Sequence, residues 1–290
     1  MNSRHAGGDE GPLAMLCGGG SLPLTVADQV ASNGRPVLLF PLRGAAEGLA
    51  VERYPHHWVH IGQIGKFLRL VRAAGCRDVV FIGSLVRPSL WHVHPDLKGL
   101  TVLPRVFAAY RGGDNHLLSS MGKLLEDEGL RLVGAHEIAP DILIQEGTLA
   151  RAQPSELDRG DIALGLEYLR AAGKFDIGQA VVVAGRHILA VEAAEGTDAM
   201  LARIAEMRTN GRLRARPGTG TLVKAPKPAQ DRRFDLPSIG PQTVEGVVRA
   251  GLAGIAVLAG STIVAEPARL IELADRNAIF VVGVPSGTAP

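Results

Sequence analysis

Cysteine is almost absent from this sequence: Cys17 and Cys76 are the only two among 290 residues. Two thiols build no disulfide framework, which excludes the stapled secreted domains and fits a reducing cytosol. Aromatic residues reach only 4%, so the core is expected from Val, Leu, Ile and Ala. Long apolar runs are missing as well. The most apolar stretch, Gly251–Gly260, is half the ~20 residues a membrane span needs, and none is expected. Residues 1–12 are glycine-rich and polar, and read as a frayed terminus rather than a signal peptide. Charge of one sign is lacking too. A net charge of +2 is too small for a dedicated nucleic-acid binder.

What is present is 46% apolar residue and 36 glycines, an ordinary globular composition with many places for tight turns or close backbone approach. The length favours two domains. Charge is unevenly spread. Arg208, Arg212, Arg214, Arg216, Lys224, Lys227, Arg232 and Arg233 fall in one stretch with a single acid, Asp231. Such an excess reads as an anion site, a surface for acidic lipid, or a solvated loop.

In the first half, strand and helix alternate. Leu13–Cys17 predicts a strand that runs into Gly18-Gly19-Gly20-Ser21-Leu22-Pro23. Ser21 suits an N-cap and Pro23 a first helical turn, with the helix ending near Ser32. Further strands are expected at Pro36–Leu42, Trp58–Ile61, Asp78–Ile82 and Arg131–Gly134, a helix at Gly65–Ala74, and two helices flanking Gly112-Gly113-Asp114. The alternation predicts a parallel, doubly wound, Rossmann-like α/β domain. The boundary is placed in Gly134–Asp141, giving 1–136 and 137–290.

The second half reads as mixed α/β. Ser155–Ala172 predicts an amphipathic helix, and Gln179–Ala184 and His187–Glu192 predict a hairpin across Gly185-Arg186. A helix near Thr197–Met207 precedes a basic, Pro- and Gly-rich stretch, Gly211–Pro241. The chain ends with a helix at Gln242–Ala250, strands at Gly254–Leu258 and Thr262–Ala265, a helix at Pro267–Asn277 and a strand at Ile279–Val284.

Three groups could carry chemistry. The glycine turn between the first strand and helix is an anion-binding device, because small residues let N–H groups reach a phosphate. It lacks the Lys of a Walker loop, and Pro23 stands where a dinucleotide fingerprint needs its third Gly. Histidines gather at His56, His57 and His60 and at His92 and His94, without Cys or carboxylate at ligand spacing; they read as surface residues rather than zinc ligands. Carboxylates bracket a strand-to-helix junction at Glu192, Glu195 and Asp198, and Asp231 and Asp235 lie among basic residues. An acid so placed should be ionised and could hold Mg2+ against phosphate oxygens, position a water, or form a salt bridge. Thr197-Asp198 could equally be a helix cap.

These stretches together resemble a known family. Gly18-Gly19-Gly20-Ser21-Leu22-Pro23, Gly134-Ala135-His136-Glu137, Asp176-Ile177-Gly178-Gln179, Val191-Glu192-Ala193 with Glu195-Gly196-Thr197-Asp198-Ala199-Met200, and Lys224-Ala225-Pro226-Lys227-Pro228 followed by Asp235-Leu236-Pro237-Ser238-Ile239-Gly240 occur in order. The chain resembles the LpxI family of UDP-2,3-diacylglucosamine pyrophosphatases from about Leu13 to Val284. It departs at Ser84, where the family tends to carry Asn. The resemblance implies a lipid A biosynthetic hydrolase that yields UMP and 2,3-diacylglucosamine 1-phosphate (lipid X) with a divalent cation, Mg2+ or Mn2+. It implies Asp235 as the catalytic carboxylate, with Asp235 and Glu192 at the metal. It places substrate at Gly18, Gly19, Gly20, Ser21, Gly178, Gln179, Thr197, Asp198, Lys224 and Lys227. Motifs in both halves lead us to expect that the halves meet around one ligand.

Two other classes compete. A nicotinamide-dependent oxidoreductase would use the first βαβ unit, but the missing third Gly and Arg43 at the second strand's end count against it. A non-catalytic nucleotide or lipid-phosphate binding protein would bind the substrate without releasing UMP. A cytoplasmic homodimer is expected, with peripheral contact at the inner membrane at most.

Overall fold

The structure is a computed structural model that describes residues 11–83, 94–102, 114–175, 177–213, 215–227, 231–234 and 236–285. The chain divides into two compact units, Met1–Asp141 with Asp231–Asp235, and Ile142–Gln230 with Leu236–Pro290.

The first unit is built on a four-stranded parallel sheet. Its elements run β1 (Leu13–Cys17), α1 (Leu22–Ser32), β2 (Val37–Pro41), α2 (Ile64–Ala73), β3 (Asp78–Ile82), α3 (Asp114–Asp127), β4 (Arg131–Leu132) and the single turn α4 (Ala135–Ile138). The strand order is β2-β1-β3-β4, all parallel. β1 and β2 are apolar almost throughout, as strands covered on both faces must be. Ala14, Phe40, Phe67, Val71, Val79 and Leu125 form the core of one face, where the Phe40 and Phe67 rings meet edge to face at 4.7 Å.

The strand expected at Trp58–Ile61 is reduced to two isolated bridges, Leu39 with His56 and Leu42 with Val59. The cause is Pro41. The segment does run beside β2, with His57 N donating to Leu39 O and Val59 N to Pro41 O. The next rung needs an N–H at residue 41, and proline has none.

Asp78, only 2% exposed at the start of β3, accepts from Arg131 Nε at 2.7 Å and from Arg35 Nη2 at 2.6 Å. Burial works against its charge, but the two guanidinium groups outweigh that and hold the carboxyl below the usual carboxylate range. A depressed folded pKa stabilises above the unfolded value of about 4, and that stability is lost as pH falls through the folded value. Asp78→Asn is therefore expected to cost about 2–3 kcal/mol at neutral pH, discounted because Arg131 is largely exposed. It should also flatten the acid limb of stability, read by urea titration between pH 7 and pH 3.

The second unit carries a six-stranded mixed sheet. Its strands are β5 (Gly147–Thr148), β6 (Ala180–Ala184), β7 (His187–Val191), β8 (Thr221–Lys224), β10 (Gly254–Leu258) and β12 (Phe280–Val284), in the order β5-β12-β10-β8-β6-β7. β8, β10 and β12 are parallel, and β6 runs antiparallel to both β7 and β8. A separate parallel pair joins β9 (Ser238–Ile239) to β11 (Ile263–Val264). The helices are α5 (Glu156–Ala172), α6 (Gly196–Thr209), α7 (Pro241–Arg249) and α8 (Pro267–Arg276). Period-two alternation along β6 feeds two cores. Val181 and Val183 pack with Ile162 and Leu166 of α5, while Ala180 and Val182 pack with Met200, Leu201 and Val247 of α6 and α7.

The expected hairpin is present, with Gly185 and Arg186 both at positive φ (59° and 63°), the geometry of a type I′ turn. The carboxylate of Asp161 accepts from both of their N–H groups. The stretch Gly211–Pro241 is not the continuous loop that its composition suggests. Thr221–Lys224 is a central, fully buried strand, because Leu222 and Val223 fill the two cores while Gly220 and Ala225 bound a run of only four residues.

Candidate functional site

In the first unit the glycine turn sits where the strand order reverses. The chain leaves β1 for β2 on one side, then returns to place β3 on the other. In open α/β sheets the crevice at the carboxyl ends of such strands is where ligands bind. Gly18 N donates to Ile82 O at the end of β3, 2.9 Å away. Gly83, at φ +98°, could not carry a side chain there, since its Cβ would lie 2.7 Å from Gly19 O. Gly20 is exposed at φ +87°, and Ser21 is exposed at the N-cap of α1 without a capping side-chain bond. Gly18, Gly19, Gly20 and Ser21 thus lie together at the carboxyl edge, leading into a helix N-terminus, an arrangement suited to an anion.

The segment Asp231–Phe234 belongs to this same unit. The Phe234 ring lies 5.5 Å from that of Phe81, over Gly122, where a Cβ would come within 2.9 Å of it. Arg233 Nη2 pairs with Asp231 Oδ2 at 2.8 Å, and Arg233 Nη1 with Glu126 Oε1 at 2.9 Å. The Arg233 guanidinium holds the Asp231 carboxyl below its usual range. Asp231 is therefore an ionised salt-bridge partner and half-buried. His136 is hydrogen-bonded to the backbone of Arg232; burial, and then the Arg232 charge, push its imidazole below the ordinary range. Asp235, Ser84, Asp176, His92 and Arg214 lie outside the described residues.

In the second unit, side chains far apart in sequence converge at the carboxyl end of β8. Ala180 pairs with Lys224, and Glu192 N donates to Ala180 O, so the ends of β7 and β8 flank the start of β6. Glu192 Oε2 accepts from Gln179 N at 2.7 Å, and Oε1 from Thr197 Oγ1 at 2.8 Å. Lys224 Nζ donates to Thr197 Oγ1 at 3.1 Å and to Ser238 O at 3.0 Å. Glu192 and Lys224 are 9% and 7% exposed. Gly178 lies hard against Glu192, and a Cβ there would fall 2.5 Å from Glu192 O.

Gly178, Gln179, Glu192, Thr197 and Lys224 are thus brought together. Asp198 is exposed on the first turn of α6 and Lys227 lies half-buried beyond β8. Thr197 does not cap α6, because its hydroxyl bridges Lys224 and Glu192 and the N-cap position falls to Glu195. The Ser238 carbonyl was not foreseen, and no side-chain signal marks a backbone acceptor. The basic stretch disperses as well. Lys224 is buried in the network, Arg233 is neutralised by two acids, and Arg208 donates to the carbonyls of Ala215, Ala250 and Gly251. His60 and His94 meet edge to face at 4.7 Å, and His56 Nδ1 is bonded to Tyr54 O.

A glycine turn over a switch point and a buried lysine–hydroxyl–carboxylate network at the carboxyl end of β8 mark a two-unit α/β protein. Residues 12–142 match the model of the LpxI N-terminal domain, and residues 145–282 that of the LpxI C-terminal domain. The chain belongs to the LpxI family. It is 41% identical over 278 residues to the UDP-2,3-diacylglucosamine pyrophosphatase LpxI of Caulobacter vibrioides, covering 96% of this chain and 99% of that protein.

Proposed function

We propose that this chain hydrolyses the pyrophosphate of UDP-2,3-diacylglucosamine to UMP and 2,3-diacylglucosamine 1-phosphate, a step of lipid A biosynthesis. The observation that carries the reading is 41% identity over 96% of the chain to a relative named for that activity. The chemistry agrees. Water adds its oxygen to one phosphorus, the bridging P–O bond breaks, and the bridging oxygen leaves on the other phosphate. Hydrolysis at this anhydride needs donors aimed at its oxygens and an acid–base group to take the water's proton. Backbone N–H groups of the turn beyond Gly18, whose own N–H is bonded to Ile82 O, are assigned the first task and Asp235 the second.

A divalent cation, Mg2+ or Mn2+, would neutralise the phosphate charge. Among the described residues no group of three or more His, Cys, Asp or Glu could hold such an ion. Mg2+ is commonly held by one or two carboxylates with the substrate's own phosphates, so Asp235 and the pyrophosphate are assigned to it. The acyl chains call for contact with a membrane surface, and no described helix is long and apolar enough to cross one. We place the enzyme in the cytoplasm as a homodimer, peripheral at the inner membrane.

The test is UMP release from UDP-2,3-diacylglucosamine, with and without EDTA. Release that EDTA abolishes and Mg2+ restores supports the reading; binding without release identifies a binding protein instead, and saturable NADH binding an oxidoreductase. Gly19→Val is expected to raise KM about tenfold with little change in melting temperature, since a side chain blocks backbone approach to phosphate. Parallel loss of stability and activity would make the turn merely structural.

A further inference from the structure

We infer that Glu192 serves this reaction as a positioning residue whose countercharge is Lys224, and not as a ligand to the metal ion. The inference rests on the functional reading above.

Hydrogen-bond chemistry fixes the direction of the network. An ammonium can only donate, so Thr197 Oγ1 accepts from Lys224 Nζ. A carboxylate can only accept, so the single Thr197 hydroxyl proton goes to Glu192 Oε1. The other oxygen, Oε2, takes the Gln179 N–H. Both oxygens of Glu192 are therefore engaged from within the chain, and a hydroxyl links the carboxylate to a buried ammonium. A buried charge is tolerated when it is paired and hydrogen-bonded, and here the Thr197 hydroxyl carries the link between the two charges. A divalent cation at Glu192 would bring further positive charge beside a buried ammonium that the Thr197 hydroxyl already joins to the carboxylate.

The arrangement has consequences for the neighbouring backbone. Glu192 holds the Gly178–Gln179 segment by its N–H and the first turn of α6 by Thr197. Lys224 grips the Ser238 carbonyl, and Ser238 directly follows Asp235-Leu236-Pro237 in sequence. One charged pair thus ties together three stretches to which substrate or catalytic roles are assigned.

The experiment compares Glu192→Gln, Lys224→Met, the double variant, Thr197→Val and Thr197→Ser. Three quantities are measured: kcat, the Mg2+ concentration for half-maximal activity, and the melting temperature in EDTA. Glu192→Gln is expected to lower kcat about tenfold or more and to lower the melting temperature of metal-free protein, with Mg2+ half-saturation unchanged. The double variant should melt higher than additivity of the singles allows, because neither charge is left alone. Thr197→Ser, which keeps the hydroxyl, should retain more activity than Thr197→Val. A tenfold rise in the Mg2+ requirement of Glu192→Gln, with unchanged melting in EDTA, would overturn the inference. So would strictly additive melting in the double variant. If wild type releases no UMP, the functional reading fails, and melting in EDTA still decides whether the two charges are coupled.

Discussion

Asp235→Ala is expected to slow UMP release at least about a hundredfold, or ~3 kcal/mol of lost transition-state stabilisation, with a melting temperature close to that of wild type. The assignment comes from the family to which the chain belongs and from the position of Asp235 in the Asp-Leu-Pro segment. The comparison that decides is with Asp231→Ala. Asp231 is bonded to Arg233 through both carboxylate oxygens, and Arg233 keeps Glu126 as a second partner. Its removal should cost stability of about 0.5–1 kcal/mol, in line with partly exposed ion pairs, and little turnover. Full activity in Asp235→Ala together with a dead Asp231→Ala would reverse the two roles.

Gly178→Val should abolish most activity for a different reason. A Cβ at this position would meet the Glu192 carbonyl at 2.5 Å and its Cγ at 2.6 Å. The carbonyl is backbone, and Glu192 N is itself bonded to Ala180 O, so the neighbour has nowhere to withdraw. The strand ends must separate, which breaks the bond from Gln179 N to Glu192 and with it the bridge to Lys224. Overpacking of this kind costs about 1–3 kcal/mol, and a displaced binding segment commonly costs a hundredfold in rate. Calorimetry and UMP release on the same preparation test both effects. Normal melting with normal kcat would show that Gly178 is not held where the network requires it.

How far these features are legible in the sequence depends on how local their causes are. The parallel sheet of the first unit is, because β1, β2 and β3 are short apolar runs separated by helices and glycine turns, and each signal lies within a few residues. The hairpin at Gly185-Arg186 is legible for the same reason. β8 is not. Four residues ending in lysine, between Gly220 and Ala225-Pro226, look like loop, and only the strands on both sides make Thr221–Lys224 a strand. Glu192 and Thr197 stand out as a carboxylate and a hydroxyl at a strand-to-helix junction, but their role depends on Lys224, which the fold brings from 27 positions beyond Thr197. The ion pair of Asp231 with Arg233 is readable at two residues' spacing; the second acid, Glu126, is 107 residues away.

The seat of Phe234 also bears on how the protein comes into being. The first unit contains its own sheet and most of its core by Asp141, yet Asp231–Asp235 also belongs to it. A chain emerging from a ribosome can close the parallel sheet early, since domains fold as units from the N-terminus. The surface formed by Phe81, Gly122 and Leu132 stays uncovered until synthesis has passed Phe234 and traversed most of the second sheet on the way. During that interval a nascent chain carries an apolar slot and an unpaired Glu126 that the finished protein does not. A fragment ending at Asp141 is a permanent copy of that intermediate, and adding a peptide spanning residues 228–238 in trans should raise its melting temperature.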